Sequence, residues 1–144
     1  MTPEETVDYN IKVCWHAISR MYNVQAAQHD ITTSIGFVLL NIDSTEGTPA
    51  TKIAPLLGLE ARSLTRILKS MEEKGLIYKM ADEKDKRSVR IMLTEVGLQK
   101  KEISRQTVRK FNLKVRETIP EKDLDVFFSV IGRINSLIES KSIF

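Results

Sequence analysis

The sequence predicts a mainly α-helical fold that carries one small β-hairpin, and three observations lead to this prediction. Apolar residues recur every three or four positions at both ends of the chain, which is the period of an amphipathic helix. A helical pattern in the middle of the chain ends at Gly75, and glycine is common at helix C-termini. Two short apolar strands follow, separated by a charged loop, and Val89, Ile91 and Leu93 of the second strand are expected to point inward. An isolated hairpin is marginally stable, so this one must pack on the preceding helices, and helix, helix, hairpin is the order of a winged helix.

Six helices are assigned from apolar stripes and from the residues at their ends. They are expected near residues 3–28, 33–40, 52–57, 60–75, 95–118 and 120–138. The hydroxyls expected to cap helix N-termini are those of Thr32 or Thr33, Thr51 and Thr94. Gly58 stops the third helix, and Pro55 is expected in or just past its first turn, where proline costs little. The two-stranded hairpin occupies the interval between the fourth and fifth helices.

These elements predict a single domain over residues 1–144, with a winged helix-turn-helix core at residues 32–97. The long terminal helices, residues 1–31 and 98–144, are expected to form a dimerisation region. A small winged-helix core cannot also bury two full apolar stripes, so the stripes are expected to bury each other and those of a second copy. The residues expected at this interface are Ile11, Trp15, Phe127, Phe128, Ile131, Ile134 and Leu137. The alternative is a monomer in which the stripes pack only within the chain.

The composition is that of an ordinary soluble protein, with 42% hydrophobic and 28% charged residues among 144. No apolar stretch is long enough to span a membrane, and the N-terminus lacks a signal-peptide pattern, so a cytoplasmic location is expected. The single cysteine excludes an intramolecular disulfide and a multi-thiolate zinc site. Neither a metal nor a cofactor is expected.

The formal net charge of +3 is small, but its distribution is uneven. Residues 60–90 contain nine basic and six acidic side chains, an excess equal to the whole net charge. On the fourth helix, the residues at buried spacing are Leu64, Ile67, Leu68 and Met71. The opposite face carries a cationic ridge, Arg62, Arg66 and Lys69, flanked by Ser63 and Thr65. Such a face can neutralise phosphates and reach base edges in a major groove, although a merely solvated outer face is the alternative.

The surroundings of this helix favour the nucleic-acid interpretation. Only Gly58-Leu59 separates it from the short helix before it, which is the tight connection of a helix-turn-helix. The hairpin loop offers Lys84, Lys86 and Arg87 to a neighbouring groove. Asp85 is expected to accept a hydrogen bond from the Arg87 guanidinium and hold it extended. A mobile turn of mixed charge is the alternative.

Five short segments within residues 32–97 form a specific combination. They are Leu56-Leu57-Gly58-Leu59, Ser63-Leu64-Thr65-Arg66 with Leu68, Glu73-Lys74-Gly75-Leu76-Ile77, Asp85-Lys86-Arg87 and Leu93-Thr94-Glu95-Val96-Gly97. Together they resemble the MarR family of winged-helix transcription regulators. Each segment alone is a weak signal, whereas their common order and spacing are specific. Outside residues 32–97 the likeness rests on the helix layout.

The resemblance implies a sequence-specific transcription regulator, a repressor that binds double-stranded DNA as a homodimer on a pseudo-palindromic operator. It implies one recognition helix per subunit in a major groove and a wing arginine in a minor groove. The DNA-binding residues expected on this basis are Thr51, Lys52, Arg62, Ser63, Thr65, Arg66, Lys69, Lys84, Asp85, Lys86 and Arg87. The resemblance also implies release of DNA by a small aromatic or anionic effector, or by oxidation.

Two features of the first helices bear on such a switch. Trp15, Tyr22 and Phe37 are candidates to line an aromatic-ligand pocket, although aromatic residues at helical spacing are more typical of a core. Cys14 is a redox candidate because one branch of the family senses organic hydroperoxides through a first-helix cysteine. Cys14 lies within the apolar stripe, however, where a buried and inert thiol is expected.

Two other classes of function are alternatives to DNA binding. The six glycines form no phosphate-binding loop, and the sequence contains no HExxH, cysteine-histidine metal spacing or nucleophile elbow, so an enzyme is not expected. A winged helix used only for protein contacts is the other alternative. The basic residues on the recognition face argue against it.

Overall fold

The structure, a computed structural model, describes residues 1–144 and contains six α-helices and three short β-strands. The helices are Val7–Ala27 (α1), Thr33–Leu40 (α2), Ala50–Leu57 (α3), Ala61–Glu73 (α4), Glu95–Thr118 (α5) and Glu121–Glu139 (α6). The strands are Thr48–Pro49 (β1), Ile77–Ala81 (β2) and Val89–Leu93 (β3). This mainly α-helical architecture with a small sheet confirms the predicted fold class. No helix combines the length and the apolar character needed to cross a membrane.

The wing is a three-stranded antiparallel sheet in the order β1-β3-β2, not the two-stranded hairpin expected. The added strand β1 has two residues, one of them proline, so it is too short to show an alternating pattern. The prediction that Val89 points inward was wrong, because this residue is 41% exposed. Val89 pairs with Ala81 at the loop end of the hairpin, and only Ile91 and Leu93 of β3 are buried.

The start of α1 differs from the sequence prediction. Residues Pro3–Glu5 form a separate 3-10 turn, and Thr6 has an extended backbone that interrupts the helix. The Thr2 amide donates to the Glu5 carboxylate at 2.8 Å, which closes this turn. The expected continuous helix from residue 3 was therefore wrong by one turn.

The start of α3 also differs, because Pro49 and not Thr51 occupies the N-cap position and makes no side-chain cap. Thr51 lies inside the first turn. Pro55 lies just past the first turn, as predicted, and its missing N–H removes one bond of this short helix. Gly58 then ends the helix in the left-handed conformation, at φ 62°.

Two of the predicted caps are confirmed. Thr32 accepts a hydrogen bond from the Ile35 amide at the start of α2. Thr94 accepts one from the Gly97 amide at the start of α5 and donates another to the Gly75 carbonyl oxygen. The threonine thus joins the end of the wing to the end of α4.

The chain divides into two compact units, Met1–Thr107 and Val108–Phe144. The first unit contains the hydrophobic core, and α4 contributes to it with Leu64, Leu68 and Met71, as predicted. Ile67 packs against this core and is partly buried. The second unit contains the end of α5 and the whole of α6. The core therefore fixes one face of α4 and leaves the opposite face to solvent.

Candidate nucleic-acid interface

A connection of three residues, Gly58-Leu59-Glu60, joins α3 to α4, one more than expected, because Glu60 is the extended N-cap of α4 and not its first helical residue. The Leu59 amide donates to the Ala54 carbonyl oxygen at 3.0 Å, which closes the end of α3 around Gly58. The Leu64 amide donates to the Glu60 carbonyl oxygen at 3.1 Å, which opens α4. α3 and α4 thus have the connection of a helix-turn-helix.

The cationic ridge of α4 lies in solvent. Arg62, Arg66 and Lys69 are all exposed, and none of their side chains makes a hydrogen bond or an ion pair within the chain. Thr65 is exposed beside them, with its hydroxyl donating to the Ala61 carbonyl oxygen, and Ser63 is half-buried. Three uncompensated positive charges therefore project from one face of a helix whose other face is held by the core.

The N-terminal end of α3 carries two more of the predicted DNA-binding residues. Thr51 and Lys52 are both exposed. On the same helix, Ile53 and Ala54 are buried in the core. The burial pattern thus turns the hydroxyl and the amine toward solvent.

The wing tip is exposed at Lys84, Asp85, Lys86 and Arg87. The Asp85 carboxylate accepts a hydrogen bond from the backbone amide of Arg87 at 3.0 Å, and the Ser88 amide donates to the Asp85 carbonyl oxygen at 2.9 Å. The predicted contact of Asp85 with the Arg87 guanidinium was wrong. An aspartate side chain readily accepts a hydrogen bond from the backbone amide two residues later, which forms a local turn. Here that bond occupies the Asp85 carboxylate and leaves the Arg87 guanidinium in solvent.

The wing base contains a pair that was not predicted from the sequence. Asp82 is 6% exposed and accepts a hydrogen bond from the Lys84 amide at 3.0 Å. Arg90 places one guanidinium nitrogen 3.6 Å from Asp82 and donates from another to the carbonyl oxygens of Glu46 and Gly47. The Lys84 amide, and then Arg90, hold the pKa of Asp82 below its usual range, although burial opposes them. The sequence did offer one signal for this contact. Asp82 directly follows β2, and an aspartate at a strand end commonly accepts a hydrogen bond from the backbone amide two residues later, here that of Lys84.

The residues predicted for the dimer interface lie on exposed or half-exposed surface. Ile11 and Trp15 are exposed on α1, as are Phe127, Phe128 and Leu137 on α6. Ile131 and Ile134 are half-buried. Large apolar side chains in such numbers on two helices are unusual for an isolated surface.

The three aromatic residues predicted for a ligand pocket do come together. The ring centroids of Trp15 and Phe37 are 5.9 Å apart, and those of Tyr22 and Phe37 are 6.0 Å apart with nearly perpendicular planes. Tyr22 is buried, and burial raises the pKa of its hydroxyl. Trp15 is exposed, so the group reaches from the core to the surface.

The expectation that Cys14 is buried was wrong, since its side chain is exposed. The apolar stripe of α1 is itself largely uncovered in the single chain, and Cys14 shares that environment. No group of histidine, cysteine, aspartate and glutamate side chains has an arrangement that could hold a metal ion.

Comparisons with known proteins agree with this geometry. The MarR family profile matches residues 31–89. The HTH-type transcriptional regulator SarZ of Staphylococcus aureus is 32% identical over 104 residues, which cover 69% of this chain and 70% of SarZ. The S. aureus MepR–DNA complex has a TM-score of 0.83 at 22% identity and covers 91% of this chain and 97% of MepR. PcaV of Streptomyces coelicolor, in complex with its natural ligand, has a TM-score of 0.81 at 18% identity and covers 94% and 96%.

The family profile coincides with the part of the chain that forms the helix-turn-helix and most of the wing. The SarZ alignment extends the likeness to more than two thirds of the chain. The chain therefore belongs to the MarR family and is a DNA-binding transcription regulator.

Proposed function

We propose that this regulator is a repressor that binds a pseudo-palindromic operator as a homodimer. The observation that carries the proposal is the cationic ridge of α4, whose charges have no partner within the chain. In a major groove, arginines of such a ridge contact phosphates or the O6 and N7 atoms of guanine. Thr51 and Lys52 at the start of α3 contact the adjacent backbone, and Arg87 of the wing enters a minor groove.

The homodimer follows from the apolar surface of the terminal helices, residues 1–31 and 98–144. A second copy covers the exposed side chains of α1 and α6, which removes apolar area from water. Two-fold symmetry then presents two copies of α4 to half-sites about one helical turn apart. An operator with an inverted repeat matches that symmetry.

A small aromatic or anionic effector is proposed to release the DNA. The ring group of Trp15, Tyr22 and Phe37 supports an aromatic ligand, since it extends from the buried Tyr22 to the exposed Trp15. The solved structure of PcaV contains a natural ligand, which shows that a protein of this fold can bind one. Release of DNA by oxidation of Cys14 is the alternative, because the exposed thiol is accessible to an oxidant. Hydroperoxide treatment that releases DNA from the wild type but not from Cys14→Ser would support it.

The main experiment measures DNA affinity by fluorescence anisotropy as the salt concentration rises. Duplexes from the promoter regions beside the gene are compared with bulk DNA of mixed sequence. Several phosphate contacts per subunit predict an affinity that falls steeply with salt, with two chains bound per operator. Affinity that does not change through the physiological salt range would reject DNA as the partner and favour a module for protein contacts.

A transcription assay tests the direction of regulation. With purified polymerase and an operator-bearing promoter, a repressor lowers the amount of transcript as its concentration rises. A promoter with a scrambled inverted repeat is the control. Increased transcript from the intact promoter would make the protein an activator.

A further inference from the structure

We propose that Arg90 and Asp82 are positioning residues that hold the wing against the helix-turn-helix, so that Arg87 is presented to DNA. Neither residue contacts DNA in this proposal. It rests on the wing–DNA contact proposed above. The structure supports it through an uninterrupted set of contacts from the wing tip to the loop before β1 and α3.

Arg90 occupies the middle strand of the sheet. It lies opposite Pro49 of β1 on one side and Met80 of β2 on the other. One guanidinium nitrogen donates to the carbonyl oxygens of Glu46 and Gly47, at 3.2 and 3.3 Å, while another lies 3.6 Å from Asp82. Two of the three guanidinium nitrogens are thus engaged within the chain, and the Arg90 side chain is only 25% exposed.

These contacts matter because the pairing of β1 with β3 is short. β1 contains two residues, and one of them, Pro49, has no backbone N–H to donate to β3. The Arg90 side chain adds two hydrogen bonds to the carbonyl groups just before this strand. α3 begins at Ala50, immediately after β1, so these bonds connect the wing to the first helix of the helix-turn-helix.

Gly47 allows the close approach on which this connection depends. Its φ angle is +69°, a conformation that favours glycine. A Cβ atom there would clash with the Met92 sulfur and with the Ile91 carbonyl oxygen. The backbone of the loop is thus pressed directly onto β3.

Asp82 connects Arg90 to the wing tip. Its carboxylate accepts the Lys84 amide, and its own amide donates to the Ser88 carbonyl oxygen at 3.2 Å. Ser88 in turn follows the turn in which Asp85 accepts the Arg87 amide. A change in the Asp82–Arg90 contact is therefore transmitted to the backbone that carries Arg87.

The test compares Asp82→Asn with Glu83→Gln. Each variant removes one negative charge from the same loop, but Glu83 is exposed and makes no hydrogen bond or ion pair. Asparagine can still accept the Lys84 amide while losing the charge that faces Arg90. If wing position matters, Asp82→Asn weakens operator binding about three- to tenfold and Glu83→Gln does not. If charge attraction alone governs the wing, both variants bind more tightly, and the proposal is overturned.

A second measurement separates positioning from a general loss of structure. Operators are made with A·T-rich or G·C-rich flanks, where the wing is proposed to lie, around one unchanged centre. The wild type prefers the A·T-rich flanks, because a narrow minor groove attracts arginine. Asp82→Asn should lose most of this preference, whereas a merely destabilised protein would bind both operators less well in the same ratio.

Two more variants make the outcome independent of Asp82 alone. Arg90→Lys keeps the charge but replaces the planar guanidinium, whose separate nitrogens face Asp82 and the two carbonyl oxygens, with a single ammonium, so we expect weaker binding and a reduced flank preference. Wild-type binding by Arg90→Lys would overturn the proposal. Arg87→Ala tests the underlying wing contact. If Arg87→Ala binds like the wild type, the wing contact fails, and if only Arg87→Ala weakens binding, the positioning role alone fails.

Discussion

Asp85 and Arg87 are joined through the main chain, since the Asp85 carboxylate accepts the backbone amide of Arg87 at 3.0 Å. The carboxylate therefore shapes the turn and does not neutralise the guanidinium. This explains why a residue of the wrong sign for DNA stands at the tip of a basic loop. It fixes the direction in which the backbone presents Arg87.

Asp85→Asn and Asp85→Ala distinguish this turn from simple charge attraction. Asparagine keeps an acceptor for the Arg87 amide and removes the negative charge, so we expect binding at least as tight as in the wild type. Alanine removes the same charge but also the acceptor, at a cost of about 0.5–1.5 kcal/mol, and we expect weaker binding. Equilibrium titration of an operator duplex measures both. Equal tightening by the two variants would show that the turn contributes nothing.

The recognition helix is tested at Arg62 and Arg66. Both are exposed opposite the buried face of α4, so Arg62→Ala and Arg66→Ala should retain the fold and lose DNA affinity. An arginine that reads a base costs about 1–3 kcal/mol when removed and relaxes preference at one position, whereas a phosphate contact weakens all sequences alike. Arg20→Ala, another exposed arginine on α1, is the matched control. Wild-type affinity in the Arg62/Arg66 double variant would contradict the proposed orientation of α4.

The dimer is tested by placing a charge on α6. Leu137 is 55% exposed in the single chain, and if a second copy covers it, Leu137→Glu buries an unpaired carboxylate. We expect monomers in sedimentation and loss of operator binding. Leu56→Glu is the control for oligomeric state, since Leu56 is 65% exposed and lies on α3. A Leu137→Glu protein that still sediments as a DNA-competent dimer would show that the interface lies elsewhere.

The sequence was most informative where one periodic signal dominated. The buried face of α4 follows directly from the spacing of Leu64, Leu68 and Met71, and the caps at Thr32 and Thr94 follow from hydroxyls that precede apolar runs. The exposed ridge then follows from geometry alone, because residues opposite a buried stripe must face solvent.

The errors arose where local hydrogen bonds competed with a long-range pattern. The Asp85 carboxylate accepts a backbone amide of its own turn. The sequence places Asp85 near Arg87 in either case, so it does not distinguish this hydrogen bond from an ion pair with the guanidinium. β1 and the contacts of Arg90 with residues 46 and 47 join segments more than forty positions apart, and two residues carry no periodic signal. The prediction that Cys14 is buried was wrong because an apolar stripe on α1 is buried only where another element or a second copy covers it.

The hydrogen bonds of Glu102 on α5 lead us to expect a specific pH dependence of the folding stability. Its carboxylate accepts hydrogen bonds from Nε and Nη2 of Arg105, at 2.9 and 2.8 Å, and from the side-chain amide of Gln106 at 3.0 Å. These bonds lower the pKa of Glu102 from 4.5 to about 2. Because the folded-state pKa is depressed, the stabilisation is present above about pH 4.5 and is lost as the pH falls toward 2.

Glu102→Gln should therefore melt at a slightly lower temperature than the wild type at neutral pH, with the two curves converging as the pH falls below about 4.5. The group is fully exposed, so the difference should be small and should shrink at high salt, where surface charges are screened. Thermal melts at constant ionic strength measure it, with Glu83→Gln as the control for loss of an exposed carboxylate that has no ion pair. If the melting temperatures of wild type and Glu102→Gln stay a constant distance apart down to about pH 2, the Arg105 contact does not contribute to stability in solution.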